Sequence, residues 1–299
     1  MPELFSLQKK MAKGSTTVEK FDAACCALKK SRKKQTIIFL MIFFVILVIS
    51  IRVGEFSLSN LIKGLPGLLN YVKDTVPEMH MHSIAKDVGE WYWGFGKWVQ
   101  LLMDTILLAF MGTLIGTIAA FALCFPGSRN LVKSYFTYFI CRRAMEVARA
   151  IPELVYAMIF VFSFGLGPFP GVLAIAIHTT GSLGKLFSEV NENIDMNLPE
   201  GILASGANWF QVMRYAVVPQ VLPNFFSYIL LRFEINVRAA SIIGFVGAGG
   251  IGQELMFVIR QFVYTDISAI VLMLICTVSI IDISCEKIRH AIIGKEVLS

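Results

Sequence analysis

Long apolar blocks bordered by basic residues constrain this chain more than any other feature of its sequence. The first block, Thr36 to Ile51, directly follows the basic cluster Lys29 to Lys34, and a second block runs from Val99 to Phe125. A bilayer core is spanned by about 20 predominantly apolar residues in a helix. Only 16% of the residues are charged, whereas soluble domains carry about a quarter. The sequence therefore predicts an all-α integral membrane protein.

Basic flanks predict the orientation of these helices, because Lys and Arg beside a span favour the cytoplasmic side. The clusters at 29–34, 129–149 and 287–295 all belong on that side. Together they indicate about six transmembrane helices with both termini in the cytoplasm. The predicted spans are 36–53, 99–125, 150–164, 172–187, 223–243 and 265–283.

The same features divide the chain into five segments. Residues between the first two spans mix both signs of charge and end in aromatic side chains that suit a membrane interface. The segments are a cytoplasmic basic segment (1–35), the first transmembrane helix (36–53), an external linker (54–98), the main transmembrane domain (99–285) and a cytoplasmic tail (286–299).

Two glycine motifs resemble nucleotide-binding sites but lack the required context. Gly247 to Gly252 satisfies GxGxxG, yet no strand is predicted before it. Gly184-Lys185 resembles the end of a phosphate-binding loop, although Thr179 stands where the first glycine belongs and Leu186 where a hydroxyl would hold magnesium. We therefore predict that the chain is not an enzyme, binds no ATP and needs no cofactor.

Metal and nucleic-acid sites are not indicated either. His80 and His82 lie in a Met-His-Met-His run, but two imidazoles without further ligands more often belong to a solvated loop. The six cysteines contain no CxxC pair. The formal charge of +6 comes from basic residues beside apolar blocks, where they set membrane orientation. The sequence predicts no metal site and no nucleic-acid partner.

The polar stretch between the fourth and fifth predicted spans carries the most specific pattern. From Glu200 it reads EGILASGANWFQVMRYAVVPQVLP, which places Gly206, Pro219 and Pro223 at fixed distances from the glutamate. This spacing resembles the EAA loop of ABC importer permeases, in which Glu-Ala-Ala precedes a glycine and two later prolines. Glycine and isoleucine replace the two alanines of that signature here.

The resemblance implies a cytoplasmic coupling helix that docks on a separate ATPase subunit. The implied contacts are Glu200, Ala204, Gly206, Pro219 and Pro223. The residues by themselves favour a short helix, because a glutamate stabilises a helix N-terminus and a glycine ends a helix or permits close approach. An ordinary connector at the membrane surface is the alternative to a docking element.

Four further stretches resemble phosphonate importer permeases in particular, namely 149–154, 178–185, 233–240 and 247–252. The resemblance implies a type I ABC importer permease fold and import of phosphonates or phosphite across a bacterial inner membrane. A periplasmic or extracellular substrate-binding protein would deliver the substrate, and two ATPase copies would hydrolyse ATP. Because one chain carries one coupling loop, a homodimer of the permease is expected.

Two alternatives remain at this point. Related permeases for methionine share the glycine-rich segment, so another small solute is an alternative substrate. A non-transporting membrane scaffold or channel subunit would explain the spans but would leave the coupling-loop spacing accidental.

Three charged residues lie inside the fifth predicted span, where a charge costs about 2.5 to 3.5 kcal/mol on insertion scales. Glu234 and Arg238 are four residues apart and are expected to form an ion pair on one helix face. Arg232 has no partner at helical spacing, so we expect the stretch to be net positive. This predicts a translocation pathway in which Arg232 attracts an anion and the Glu234–Arg238 pair holds the helix.

Overall fold

The computed structural model describes residues 17–77 and 83–296, which form helices joined by short connections, with no strand in these ranges. The predicted all-α class is therefore confirmed for this part of the chain. Two compact units result, one up to Tyr71 and one from Val72 onward. His80 and His82 lie outside the described residues.

The first unit is built on a long helix, α1, from Thr17 to Val53. The helix continues through the basic cluster that was assigned to a separate segment before residue 36, since Lys and Arg are good helix formers. A second helix, α2, spans Leu58–Thr75 and contains no buried residue. Its apolar residues recur at helical spacing and all are exposed, namely Leu58, Leu61, Ile62, Leu65, Leu68 and Leu69.

The second unit contains the remaining helices. They are α3 (Ile84–Trp91), α4 (Phe95–Cys124), α5 (Tyr135–Ala150), α6 (Glu153–Phe164), α7 (Pro168–Glu192), α8 (Asn197–Ala204), α9 (Trp209–Val212), α10 (Val218–Ile243), α11 (Gly250–Gln261) and α12 (Tyr264–Glu296). The predicted linker 54–98 is thus largely helical, as α2 and α3 occupy much of it.

The centre of this unit is the contact between α4 and α7, which small residues bring close together. A Cβ on Gly112 would lie 2.6 Å from Ile175 Cγ2, and one on Gly116 would lie 2.7 Å from Thr179 Cβ. The two glycines are four residues apart, the spacing that lets transmembrane helices approach closely. Larger residues at either position would force these helices apart.

Among the described residues, three helices are long and apolar enough to cross a membrane by length and composition: residues 28–53 of α1, the whole of α4, and residues 264–292 of α12. The number reaches five when each of two bent helix pairs counts as one span. The 25 residues of α7 extend over about 37 Å, which is long enough to cross a bilayer core. Its polar residues Thr179, Ser188 and Asn191 are buried within the protein. The predicted number of six spans stays a prediction.

Two predicted boundaries differ from the structure. The third span was expected at 150–164, but α6 has only 12 residues and is bent by 86° from α5. The break lies at Ile151-Pro152, because the residue before a proline disfavours helical geometry. The glycine-rich segment lies between the predicted spans 223–243 and 265–283 and was assigned no helix, yet it contains α11, which begins at Gly250 and runs at 45° to the preceding helix.

Candidate coupling segment and intramembrane charges

The polar stretch that resembles the EAA loop folds as a short helix followed by a sharp turn. We call residues 197–212 of this stretch the coupling segment. Glu200 lies in the first turn of α8 and is exposed, where its charge complements the helix dipole. Ala204 is the last residue of α8 and is also exposed. Gly206 adopts a φ of +91°, a left-handed conformation that glycine accepts without steric cost. The predicted helix and its glycine stop are both present.

The chain then returns to the bundle through α9. Asn208 caps α9. Its side chain accepts a hydrogen bond from the backbone amide of Gln211, and the Gln211 side chain accepts one from the backbone amide of Asn208. A π-helical turn, Met213–Val217, leads into α10, in which Pro219 occupies the first turn and Pro223 lies one turn further. The prolines therefore shape the start of α10 and do not belong to α8.

Hydrogen bonds fix this segment to the loop between α4 and α5. Trp209 Nε1 donates to the carbonyl of Leu131 over 2.9 Å. Asn130 Nδ2 donates to the carbonyl of Asn191 at the end of α7 over 2.7 Å. Arg142 of α5 pairs with Glu192 at 3.1 Å. The coupling segment thus lies at one end of the unit. The end of α7 and the basic loop between α4 and α5, residues 125–134, lie at the same end.

The coupling segment leaves several apolar side chains unburied. Leu203 is 55% exposed and Phe210 is 77% exposed. Beside them a groove of about 630 Å³ runs between the segment and the loop before α5, with Glu200, Lys133 and Trp209 in its wall. A surface that combines exposed apolar groups with a charged rim is typical of a protein contact.

The charged residues of α10 separate into two groups. The first, which we call the inner cluster, consists of Arg232, Glu153 at the start of α6 and His178 of α7. Arg232 and His178 both contact the Glu153 carboxylate. The Arg232 guanidinium donates a close hydrogen bond to the Glu153 carboxylate. His178 Nε2 lies 3.5 Å from the same carboxylate, and its Nδ1 lies 3.0 Å from the carbonyl oxygen of Ile151. Three helices thus converge on one carboxylate.

The second group, the outer cluster, consists of Glu234 and Arg238 of α10 with Asp282 of α12. Arg238 donates to both carboxylate oxygens of Asp282 at 2.9 and 3.0 Å. Its distance to Glu234 is 3.7 Å, so the predicted pair exists but is the weaker of the two contacts. The cluster links α10 to α12 by an ion pair in which one guanidinium nitrogen contacts both carboxylate oxygens.

The structure overturns one sequence expectation about these charges. Arg232 was predicted to have no partner at helical spacing and to leave the stretch net positive, but Glu153 pairs with it from a position 79 residues away. Asp282 adds a second carboxylate at Arg238. Helical spacing reveals only partners on the same helix, so it could not find either residue. The isolated glutamate after a proline in an apolar block was the available signal for Glu153.

A polar cluster next to the inner charges was also missed. Asn236 follows Arg232 by one helical turn and is fully buried. Its Nδ2 donates to Thr113 Oγ1 over 2.7 Å and to Thr179 Oγ1 over 2.9 Å. These bonds tie α10 to both central helices, at the point where α4 and α7 approach through Gly116.

Comparison with known proteins places this architecture. The sequence profile described as "Binding-protein-dependent transport system inner membrane component" matches residues 112–292. The phosphite transport system permease protein PtxC of Stutzerimonas stutzeri is 34% identical over 77% of this chain and 79% of its own length. A putative cryptic phosphonate transport system permease protein of Escherichia coli is 48% identical over 40% of this chain and 97% of its own length.

A solved structure supports the same fold. An inward-facing form of the MetNI methionine ABC transporter superposes with a TM-score of 0.56 at 18% identity, covering 72% of this chain and 99% of the matched chain. The predicted type I importer permease fold is confirmed by this likeness. Together with the profile match, which includes the coupling segment and both charge clusters, it shows that the chain belongs to the family of binding-protein-dependent transport system inner membrane components.

Proposed function

We propose that this chain is the membrane permease subunit of an ATP-binding-cassette importer for oxyanions of phosphorus, with phosphonates and phosphite as the leading candidates. The coupling segment carries the proposal, because an exposed short helix followed by a turn at Gly206 is tied by the Trp209–Leu131 hydrogen bond to the loop before α5. The names of the phosphite and phosphonate relatives support the substrate class. ATP hydrolysis would occur on a separate subunit.

The complete importer would contain two copies of this chain, two ATPase subunits and an external substrate-binding protein. One chain provides one coupling segment, whereas two ATPase subunits need two such contacts. Exposed Leu203 and Phe210 beside Glu200 offer an apolar contact with a charged rim. Closure of the ATPase pair would then move α7 and α10, the helices that flank the segment.

The topology that we propose has six spans with both termini in the cytoplasm of a bacterial inner membrane. The spans are α1, α4, α6, α7, α10 and α12, with α5 on the cytoplasmic side of the bend that precedes α6. The hydrogen bond from Trp209 to Leu131 joins the coupling segment to the basic loop, and the bond from Asn130 to Asn191 joins that loop to the end of α7, which supports placing all three on the same side. The basic residues near the end of α12 favour that side as well.

Cysteine labelling tests this topology. His290→Cys in a chain whose own six cysteines are replaced should react with a membrane-impermeant reagent only after the cells are opened. Labelling of residue 290 from outside in intact cells would overturn the six-span arrangement.

Substitution of Gly206 tests the coupling assignment. We expect Gly206→Arg to abolish substrate-stimulated ATPase activity, because the new side chain projects from the docking surface and the φ of +91° is strained for arginine. Gly165→Arg is a matched control, since Gly165 has a φ of +88° and equally open surroundings but lies in the α6–α7 turn. Full stimulation in Gly206→Arg, or an equal loss in the control, would remove Gly206 from the ATPase contact.

The pathway that we propose places Arg232 as the anion-attracting group, while Arg238 holds α10 through Asp282 and a weaker contact with Glu234. Arg232 is mostly buried at the junction of α6, α7 and α10, where a substrate that passes between these helices would meet it. Guanidinium groups bind phosphate-like oxyanions through paired hydrogen bonds. Arg232→Gln should therefore lower uptake per assembled complex, and normal uptake at limiting substrate would exclude Arg232 from the pathway.

A substrate panel discriminates between the candidate functions. The importer, reconstituted with its binding protein and ATPase, should take up methylphosphonate or phosphite and should leave methionine outside. Uptake of methionine alone would favour the alternative that the fold likeness to MetNI suggests. If no ATPase co-purifies with the chain and no solute is transported, the result would favour the alternative of a non-transporting membrane scaffold.

A further inference from the structure

The inner cluster contains an arginine, Arg232, that already pairs with a carboxylate of the protein, that of Glu153. The Arg232 side chain is 12% exposed and that of Glu153 is 14% exposed, so both lie largely out of contact with solvent. The Glu153 carboxylate accepts a hydrogen bond from the guanidinium, which is the contact that an external oxyanion would make. An anion can therefore reach Arg232 fully only if Glu153 gives way.

Two buried polar atoms near this contact lack a hydrogen-bond partner within the described residues. They are Nε of Arg232, a donor, and Oδ1 of Asn236, an acceptor one helical turn later on the same face of α10. A phosphonate or phosphite monoanion carries both acceptor oxygens and one P–OH donor, so it can satisfy both atoms. A single carboxylate has no donor when ionised and cannot do so.

Glu153 lies at the start of a helix, with His178 beside its carboxylate. It begins α6 directly after the Ile151-Pro152 break, whose backbone is extended, rather than inside a helix. His178 contacts the same carboxylate oxygen as Arg232, with Nε2 3.5 Å from Oε1, and its Nδ1 lies 3.0 Å from the carbonyl oxygen of Ile151. When both ring nitrogens carry a proton, His178 can donate to this carboxylate after it leaves Arg232.

We propose that Glu153 is an internal competitor for the substrate. It occupies Arg232 while the pathway holds no anion, and an oxyanion of phosphorus displaces it towards His178. The closed pair then prevents other anions from leaking through an unloaded permease. This proposal rests on the proposed function, since it requires a phosphorus oxyanion in the pathway.

Binding to the purified importer tests the proposal. Equilibrium dialysis of radiolabelled methylphosphonate against the permease–ATPase complex, without binding protein, should show weak binding by the wild type. Glu153→Gln should bind about tenfold more tightly, because one charge-assisted hydrogen bond no longer competes. The double variant Glu153→Gln/Arg232→Gln should return to wild-type affinity or below. Binding by Glu153→Gln that is no tighter than wild type would overturn the proposal.

A stability measurement covers the case in which Glu153→Gln assembles poorly. Purified in methylphosphonate, this variant should unfold at a higher temperature than without it, because the external anion replaces the missing carboxylate. Glu192→Gln is the matched control, as it removes the carboxylate from another interhelical pair, with Arg142. An equal rise in the control, or none in Glu153→Gln, would overturn the proposal.

Uptake by the wild-type importer separates this inference from the proposed function. If the wild type transports phosphorus oxyanions and Glu153→Gln shows neither tighter binding nor anion-dependent stabilisation, only the competitor role fails. If the wild type transports none of them, both the substrate assignment and the competitor role fail.

Discussion

The inner and outer charge clusters share helix α10, but the pair in the inner cluster is largely buried and the pair in the outer cluster is partly exposed. In the inner cluster, Arg232 and its partner Glu153 are each less than 15% exposed. In the outer cluster, Arg238 is 49% exposed and Asp282 is 34% exposed. Isolated charges that are buried cost much more free energy than exposed ones, so the inner pair depends on its partner far more than the outer pair does.

The largest expected effect is that of Arg232→Gln on stability. Loss of the guanidinium leaves Glu153 buried without a counter-charge, which costs about 3 to 5 kcal/mol. Thermal unfolding of the detergent-purified complex measures the effect, and Glu153→Gln/Arg232→Gln should recover most of the loss. If Arg232→Gln destabilises the complex no more than Arg238→Gln does, the contrast between the two clusters is wrong.

Asn236→Ala should have the next largest effect, because it removes two buried hydrogen bonds to Thr113 and Thr179 and opens a small cavity. The expected loss is about 1 to 3 kcal/mol of unfolding free energy. Chemical denaturation of the purified permease would detect it. Ser284→Ala, which removes an exposed hydroxyl bonded only within α12, is the control and should change little. A loss in Asn236→Ala as small as in this control would show that the polar junction of three helices contributes little.

Asp282→Asn should destabilise the complex by less than about 1 kcal/mol, since the pair with Arg238 is partly exposed. Uptake should also stay close to that of the wild type. Both measurements use the same preparation as for Arg232→Gln, so the two clusters are compared directly. A severalfold fall in uptake would extend the transport role to the outer cluster.

Glu234→Gln should have the smallest effect. The sequence predicted that Glu234 and Arg238 pair with each other, so loss of Glu234 alone would leave Arg238 without a partner, but Arg238 keeps its contacts with both carboxylate oxygens of Asp282 at 2.9 and 3.0 Å. Neutralising Glu234 also removes the repulsion between two carboxylates that share one arginine. Yield of purified complex is the measurement, and a marked fall would mean that the contact at 3.7 Å matters more than its length suggests.

The coupling segment was predictable because its determinants are local. Glu200 and Gly206 set the start and stop of a helix of eight residues, and both act through the backbone of their own segment. The glycine-rich stretch that follows α10 was less predictable. Gly247 and Gly249 do form turns with positive φ, but the helix that starts at Gly250 is stabilised by packing of Ile251 and Leu255 against distant residues.

The sequence by itself determined that this chain is a membrane protein, where its apolar helices run and which polar segment resembles a coupling loop. Hydropathy, charge flanks and short-range spacing are properties of neighbouring residues, so they can be read without a fold. Only the tertiary structure decided that Glu153 meets Arg232 and that Asp282 meets Arg238. Those pairs join different helices, and their geometry depends on the close approach at Gly112 and Gly116 and on the 86° bend before α6.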